Sequence, residues 1–229
     1  MTQKLTILFD LDGTLADTAP DLLSAHNHVM KKFGYDTKNI DEIRNYVGHG
    51  AAVMIGRSIW NSAKKEISKI TDQKVKNAMI KEFLNFYGQN IVVKSKLING
   101  VVDFLKWSKS NNISMGVCTN KQEKLAIDFL KKIKIYDFFE YVSGGNTFDY
   151  CKPDPRHLTS TIEIMNGNVE KSLMIGDSEN DAEAAKAAGI PMILLQDGYT
   201  EKKVNQIYHN HLIKNFVGLE KIISKYIND

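Results

Sequence analysis

Cysteine is nearly absent from this chain of 229 residues, which has only Cys118 and Cys151. Two cysteines make neither a disulfide framework nor a metal-ligand spacing, and both thiols are expected to be reduced. Cys118 ends an apolar run and Cys151 precedes Lys152, so both are expected as small buried fillers without a chemical role. Long apolar runs are missing too. No stretch approaches the roughly 20 residues of a membrane-spanning helix, which excludes a membrane partner of that kind. The opening MTQKLTILFD runs straight into a strand-like segment rather than a cleavable leader, so the expected location is the cytoplasm. A large charge of one sign is also lacking. Thirty Lys plus Arg against 27 Asp plus Glu leave +3, too small a surplus to make nucleic acid the main partner, though a small anion fits. Internal repeats and low-complexity tracts are absent. The remaining composition, 43% hydrophobic and 25% charged, is that of a globular chain, long enough for one domain with a large insertion or two modest domains.

Against this background KLTILFDLDGT stands out. Leu5, Ile7, Leu8 and Phe9 form a nearly continuous apolar segment of strand length, the pattern of a central strand covered on both faces. It ends in two carboxylates, Asp10 and Asp12, followed by Gly13. Residues i and i+2 of a strand point the same way, so both acids are expected at the C-terminal end, where open α/β sheets place their ligand crevices. Two anions so close need a cation.

The next stretch reads as helical. Thr18 and Pro20 mark a helix start that Gly34 ends, and NIDEIRNYVG, GAAVMIGRSIW and DQKVKNAMIKEFLNFYGQNI carry helix-period apolar positions. This segment holds eleven Lys or Arg against seven Asp or Glu, mostly expected on solvated faces. From Gly100 onward, short apolar runs (ISMGVCTN, EYVSGG, SLMIGDS, PMILLQ) alternate with helix patterns, and GLEKIISKYI closes the chain as an amphipathic helix. That is the rhythm of a parallel sheet. The expected architecture is therefore an α/β domain made from residues 1–17 and 93–229, interrupted by a helical module over 18–92, with hinges near 17–18 and 92–97.

Side chains at four strand ends would share one crevice: Asp10 and Asp12, then Thr119 and Asn120, then Lys152 in the loop CKPDP, then Asp177 and Asp181 in IGDSEND. Taken singly each is ordinary: an acidic turn, a helix cap, a surface lysine. Together they are an inventory for phosphoryl transfer through a carboxylate, because acids hold Mg²⁺ while lysine, hydroxyl and amide groups neutralise phosphate.

DLDGT, VCTN, KPDP and GDSEND resemble, in order, the four motifs of the haloacid dehalogenase superfamily in its phosphatase branch. The resemblance implies a Rossmann-like core with a parallel sheet, an inserted helical cap of the C1 type, and catalysis between them. It implies Asp10 as nucleophile and Asp12 as general acid and base. Thr119, Asn120, Lys152 and Gly13 would bind phosphate. Mg²⁺ would be held by Asp10, the backbone carbonyl of Asp12, Asp177 and, through a supporting role, Asp181. Gly13 would let the chain turn tightly beneath the phosphate.

Within that superfamily, NYVGHGAAVMIGRSI and KAAGIPMILLQDGYT are similar to the phosphoglycolate phosphatases, with LINGV lacking a proline before its glycine and GYT standing where GYN is usual. The implied partner is a small phosphate ester, foremost 2-phosphoglycolate. Pyrophosphate, sugar phosphates, nucleotides and a β-phosphoglucomutase-like phosphate transfer are the alternatives, and monomer and homodimer both stay open. A signalling receiver shares the phosphorylated Asp but has no use for Asp12 or a helical insert, and a dehalogenase lacks the second acid. For the substrate carboxylate the cap candidates are Arg44, Gly48, His49 and Gly50, the histidine lying between two glycines where backbone can approach a ligand.

Overall fold

A computed structural model of the protein describes residues 4–48, 50–60 and 73–228. The apolar opening forms strand β1 (Thr6–Phe9), and a short β2 (Ala16–Asp17) follows. Helices α1 (Ala19–Lys32), α2 (Ile40–Arg44), α3 (Ala51–Trp60) and α4 (Gln73–Gln89) come next, and β3 (Lys96–Leu97) ends that stretch. Strands and helices then alternate: α5 (Val101–Ser110), β4 (Ser114–Cys118), α6 (Glu123–Lys132), β5 (Tyr141–Ser143), α7 (Arg156–Ile164), β6 (Ser172–Gly176), α8 (Glu179–Ala188), β7 (Met192–Leu195), β8 (His211–Ile213) and α9 (Glu220–Asn228).

Six of these strands form a parallel sheet in the order β5, β4, β1, β6, β7, β8. This is the α/β architecture expected from the alternating pattern. β1 lies inside it, with Phe9 opposite Val117 on one side and Ile175 on the other. Its side chains alternate between two cores. Ile7 and Phe9 join Val117, Leu173 and Ile175 on one face, while Leu8 joins Met174, Met192 and Leu194 on the other. Burial on both faces explains why the segment reads as continuously apolar. Phe9 meets the rings of Phe104, Phe139 and Phe216 at centroid distances of 6.2, 5.8 and 6.3 Å. After β5 the chain crosses back past β1 to begin β6 on its other side, and such a reversal opens a crevice at the strands' C-terminal ends.

Two features join the helical stretch to the sheet. β2 and β3 pair antiparallel, Ala16 with Leu97 and Asp17 with Lys96, at the two predicted crossings. The buried Asp21 carboxylate, in the first turn of α1, accepts N–H bonds from Val93 and Lys94 at 3.0 Å and Ser95 at 2.9 Å, and the Ser95 hydroxyl at 2.6 Å. Both crossings are thus tied by backbone bonds. β8 has no counterpart in the apolar pattern, since HLI sits among polar residues and is a strand only by virtue of its pairing with β7.

Candidate active site

Asp10 leaves the end of β1 with its N–H on the carbonyl of Ile175, 2.9 Å away, so the ladder to β6 fixes its backbone. Asp177 follows β6, Thr119 follows β4, and Lys152 lies in the loop after β5, joined to Pro153 by a cis peptide bond. One carboxylate oxygen from each of Asp10, Asp177 and Asp181 falls within 4.8 Å of the others, all three residues buried. The Lys152 ammonium reaches into this cluster, 2.9 Å from Asp10 Oδ1, 2.6 Å from Asp181 Oδ1 and 2.5 Å from the Cys118 carbonyl. Its three donors are thereby all used.

The acids differ in what their oxygens do. Asp181 Oδ2 accepts from the N–H groups of Asp177 (3.1 Å) and Ser178 (3.0 Å) and from the Ser178 hydroxyl (2.7 Å), closing a capping box on α8. With Lys152 on its other oxygen, Asp181 anchors lysine and helix and offers least to a cation. Asp177 accepts from the Thr14 hydroxyl at 2.9 Å and the Tyr199 N–H at 2.6 Å. Gly13 adopts φ +85°, and a Cβ there would stand 2.1 Å from Asp177 Oδ2. The glycine of DGT therefore makes room for an acid 164 positions away, besides permitting the turn. Thr14 and Tyr199, holding Asp177 from two sides, went unassigned in the sequence; GYT carries the only signal for the second.

Asp12 faces elsewhere. Both its oxygens lie 2.8 Å from the Lys121 ammonium, a buried ion pair between the ends of β1 and β4. Its side chain is therefore not part of the Asp10, Asp177 and Asp181 cluster. Lys121 directly follows the VCTN motif, yet nothing local distinguishes it from the solvated lysines around it.

Asp10, Asp12, Thr119, Asn120 and Lys121 open onto a cleft of about 250 Å³ whose opposite wall includes Leu22, Val47, Gly48, Gly50, Met54, Phe83 and Tyr87. Asn120 does not point its amide nitrogen at the acids. It donates to the carbonyls of Gly48 (3.0 Å) and Lys152 (2.8 Å). Asn180 donates to the same Gly48 carbonyl at 3.1 Å. Two amides from the sheet side thus grip the Gly48 carbonyl, and Gly48 has φ +92° and Gly50 +82°. Arg44 is not on the cleft; it pairs with Asp17 at 3.1 Å and lies 6.0 Å from the Tyr199 ring centroid. The lysine that lines the cleft among the described residues is Lys121. His49 lies outside the described residues.

The family model described as Haloacid dehalogenase-like hydrolase matches residues 7–195.

The chain belongs to the haloacid dehalogenase-like hydrolases.

Phosphoglycolate phosphatase of Mesorhizobium japonicum is 36% identical over 213 residues, covering 93% of this chain and 92% of its own. The phosphoglycolate phosphatase of Agrobacterium fabrum is 35% identical over 223 residues, covering 95% and 94%. In structure, a "predicted phosphoglycolate phosphatase" from Haemophilus somnus superposes with TM-score 0.90 at 28% identity, over 97% of this chain and 99% of that one. A β-phosphoglucomutase from Clostridium difficile superposes with TM-score 0.80 at 21% identity, over 97% of each chain, and shows the shared fold.

The electrostatics of this haloacid dehalogenase-like hydrolase follow from the burial of its acids. Burial lifts the Asp10 carboxyl to about 6; Lys152 opposes that rise, while Asp181 and Asp12 reinforce it. Asp177 is raised well above the usual carboxylate range by burial, then by Asp10 and Asp181. Burial would lower Lys152, but Asp10 and Asp181 outweigh it and keep the ammonium charged. Burial also pushes the Cys118 thiol up to about 12, which makes it an unreactive filler beneath Lys152.

His157 supports the lysine from behind. Its Nδ1 accepts the Lys152 N–H at 3.2 Å, and burial followed by the Lys152 charge lowers its pKa to about 3. The folded state therefore binds fewer protons than the unfolded state between about pH 6.5 and 3. Stability from this group is complete above 6.5 and falls with pH through that window, by at most about 1.4 kcal/mol per pH unit. His157→Gln, which keeps an acceptor, is expected to reduce the loss of urea midpoint between pH 7 and 5. Parallel midpoint curves for the two proteins would contradict this.

Proposed function

We propose that this chain, a phosphatase of the haloacid dehalogenase-like hydrolases, hydrolyses a small phosphomonoester, foremost 2-phosphoglycolate to glycolate and phosphate, through a phosphorylated Asp10. The reading is carried by the convergence of Asp10, Asp177, Asp181 and Lys152, from three separate chain segments, at one end of the sheet. The names of the relatives, at about 35% identity over nearly the whole chain, support the choice of substrate. In this reading residues 18–92 act as the cap and residues 1–17 and 93–229 as the core. The grip of Asn120 and Asn180 on the Gly48 carbonyl keeps the cap loop over the crevice.

Asp10 attacks phosphorus and displaces the alkoxide, forming the acyl phosphate. Lys152 holds the nucleophile's Oδ1 and so fixes the direction of its other oxygen. To serve the alkoxide, Asp12 takes up a proton from solvent as substrate enters, exchanging its ion pair with Lys121 for a hydrogen bond. It gives that proton to the leaving oxygen and then takes one from the water that cleaves the acyl phosphate, so one carboxyl serves both halves. Thr119, at the end of β4, supplies a hydroxyl to the phosphoryl oxygens. The apolar walls limit the water that reaches the phosphorylated acid.

The acids fit a divalent cation. With all three carboxylates ionised, one ammonium leaves two negative charges uncompensated, the repulsion that adds to burial in raising Asp10 and Asp177, and an all-oxygen set suits Mg²⁺. Asp10 and Asp177 would hold it, helped by the Asp12 carbonyl; when bound it supplies positive charge to the phosphoryl oxygens. Because a cation relieves the repulsion of buried acids, Mg²⁺ at about a hundred times its dissociation constant is expected to raise the melting temperature by ~5–10 °C over chelator-treated protein. An unchanged melting point would remove the cation from this site.

Measuring phosphate release from a panel of esters, with and without chelator, tests the reaction. Turnover of 2-phosphoglycolate that chelator abolishes and Mg²⁺ restores is the expected result. Phosphate returned to a sugar instead of released would replace hydrolysis by transfer.

A further inference from the structure

Lys121 is the one cationic side chain lining the cleft among the described residues. Its side chain is 4% exposed, and its ammonium lies 4.6 Å from the centroid of the Tyr87 ring. The pair it makes with Asp12 is electrically balanced, so it adds no net charge to the cleft. A lysine ammonium carries three N–H donors, and the two Asp12 oxygens require two. Tyr87, on the facing wall, is 1% exposed, and its buried hydroxyl, whose oxygen neighbours the Lys121 ammonium, finds no acceptor for its O–H among the described residues. Buried tyrosine hydroxyls ordinarily have one, so a spare donor beside an ammonium in a cavity is the mark of a ligand position. Around them Met54, Ile80, Phe83 and Leu84 provide no competing polar contact and keep the local dielectric low, which strengthens any charge pairing there.

Resting on the phosphatase reading above, we infer that Lys121 and the Tyr87 hydroxyl form the subsite for a carboxylate carried by the leaving group. The ligand class is a short phosphate ester with its carboxylate one or two carbons from the ester oxygen. Asp12 has to meet that ester oxygen to protonate it, and Lys121 touches both Asp12 oxygens. In an ester with one intervening methylene, ordinary bond lengths put a carboxylate oxygen ~3 Å from the ester oxygen, within the span of the ammonium. A neutral leaving group uses neither donor. A charged hydrogen bond of this kind corresponds to a preference of ~10–100-fold. Lys121 is thus specificity-determining through the leaving group, and it also positions Asp12.

The test compares kcat/KM of wild type, Lys121→Met and Tyr87→Phe on 2-phosphoglycolate, 3-phosphopropionate and the neutral ethyl phosphate. Loss of Asp12 positioning affects every ester and cancels in the ratio of carboxylate ester to ethyl phosphate. Wild type is expected to show a ratio of ~10–100, Lys121→Met a ratio near one, and Tyr87→Phe a ratio lowered ~3–10-fold, chiefly through KM. If wild type prefers 3-phosphopropionate and Lys121→Met removes that preference, the subsite stands and the phosphoglycolate reading falls. If wild type prefers 2-phosphoglycolate and both variants keep the ratio, the subsite is overturned while that reading survives. Absence of any carboxylate preference in wild type overturns both. Should Lys121→Met fail to fold, Tyr87→Phe, which loses a single oxygen, decides the question by itself.

Discussion

Asp10→Asn is expected to lower kcat by ~10⁵-fold, the scale of losing a covalent nucleophile, with the fold intact. The replacement is nearly isosteric and its amide oxygen can still accept from Lys152. Its effect on stability should have the opposite sign to its effect on activity. In the metal-free protein the Asp10 carboxyl has been lifted to about 6, above its unfolded value. The folded state then binds more protons than the unfolded state between about pH 4 and 6, so wild-type stability falls as pH rises through that window, by at most about 1.4 kcal/mol per pH unit. The asparagine variant lacks this decline. Urea unfolding in chelator at pH 4, 5, 6 and 7 should therefore show the variant's midpoint gaining on wild type as pH rises, and added Mg²⁺ should favour wild type again. Turnover within tenfold of wild type would remove Asp10 as nucleophile.

Lys152→Met should damage both activity and stability. Among the described residues this lysine is the only ammonium bonded to the Asp10 and Asp181 pair, and the Asp177 carboxylate adjoins them. Methionine retains most of the volume and none of the charge. Removing one partner from a buried ion pair costs about 3–5 kcal/mol, because the remaining charges stay buried and unmatched. For a chain of this size that corresponds to a fall in melting temperature on the order of 10 °C in the metal-free protein. Mg²⁺ should recover part of the stability by neutralising the acids, and it should not recover the activity, since nothing then orients Asp10. Phosphate release is expected to fall by ~10³-fold or more, as for other charged groups that contact the reacting centre. A variant as stable and as active as wild type would mean that the cluster is balanced by something other than Lys152.

These two residues illustrate what local pattern can report. Asp10 was legible because it ends an apolar run of strand length, and Lys152 because KPDP is a recognisable motif in the loop after a strand; a parallel sheet brings such strand ends together whatever lies between them. β1 was legible for the same reason, since burial on both faces leaves a continuous apolar signature. Other features left no such trace. β2, β3 and β8 are two or three residues long, too short for a periodicity, and exist through their pairing partners. Asn120 had the composition of a phosphate ligand, but the structure gives its amide to two backbone carbonyls. Arg44 had the charge wanted for a carboxylate, but Asp17 holds it away from the cleft.

From the amino-acid order alone came the α/β class, the placing of a helical stretch after the first strand, and the set of acids, hydroxyl and lysine at the strand ends. These depend on residues close together in the chain, whose spacing directly reflects the 2.0 and 3.6 periodicities of backbone structure. The tertiary structure alone decided that Lys121 belongs to Asp12, 109 positions away, that Asn120 and Asn180 meet at the Gly48 carbonyl, and that Thr14, Tyr199 and His157 support the acids and the lysine. A side chain's partner across such distances is set by which segments the sheet order makes neighbours and by which buried groups require a hydrogen bond or a counter-charge. No window of sequence contains either.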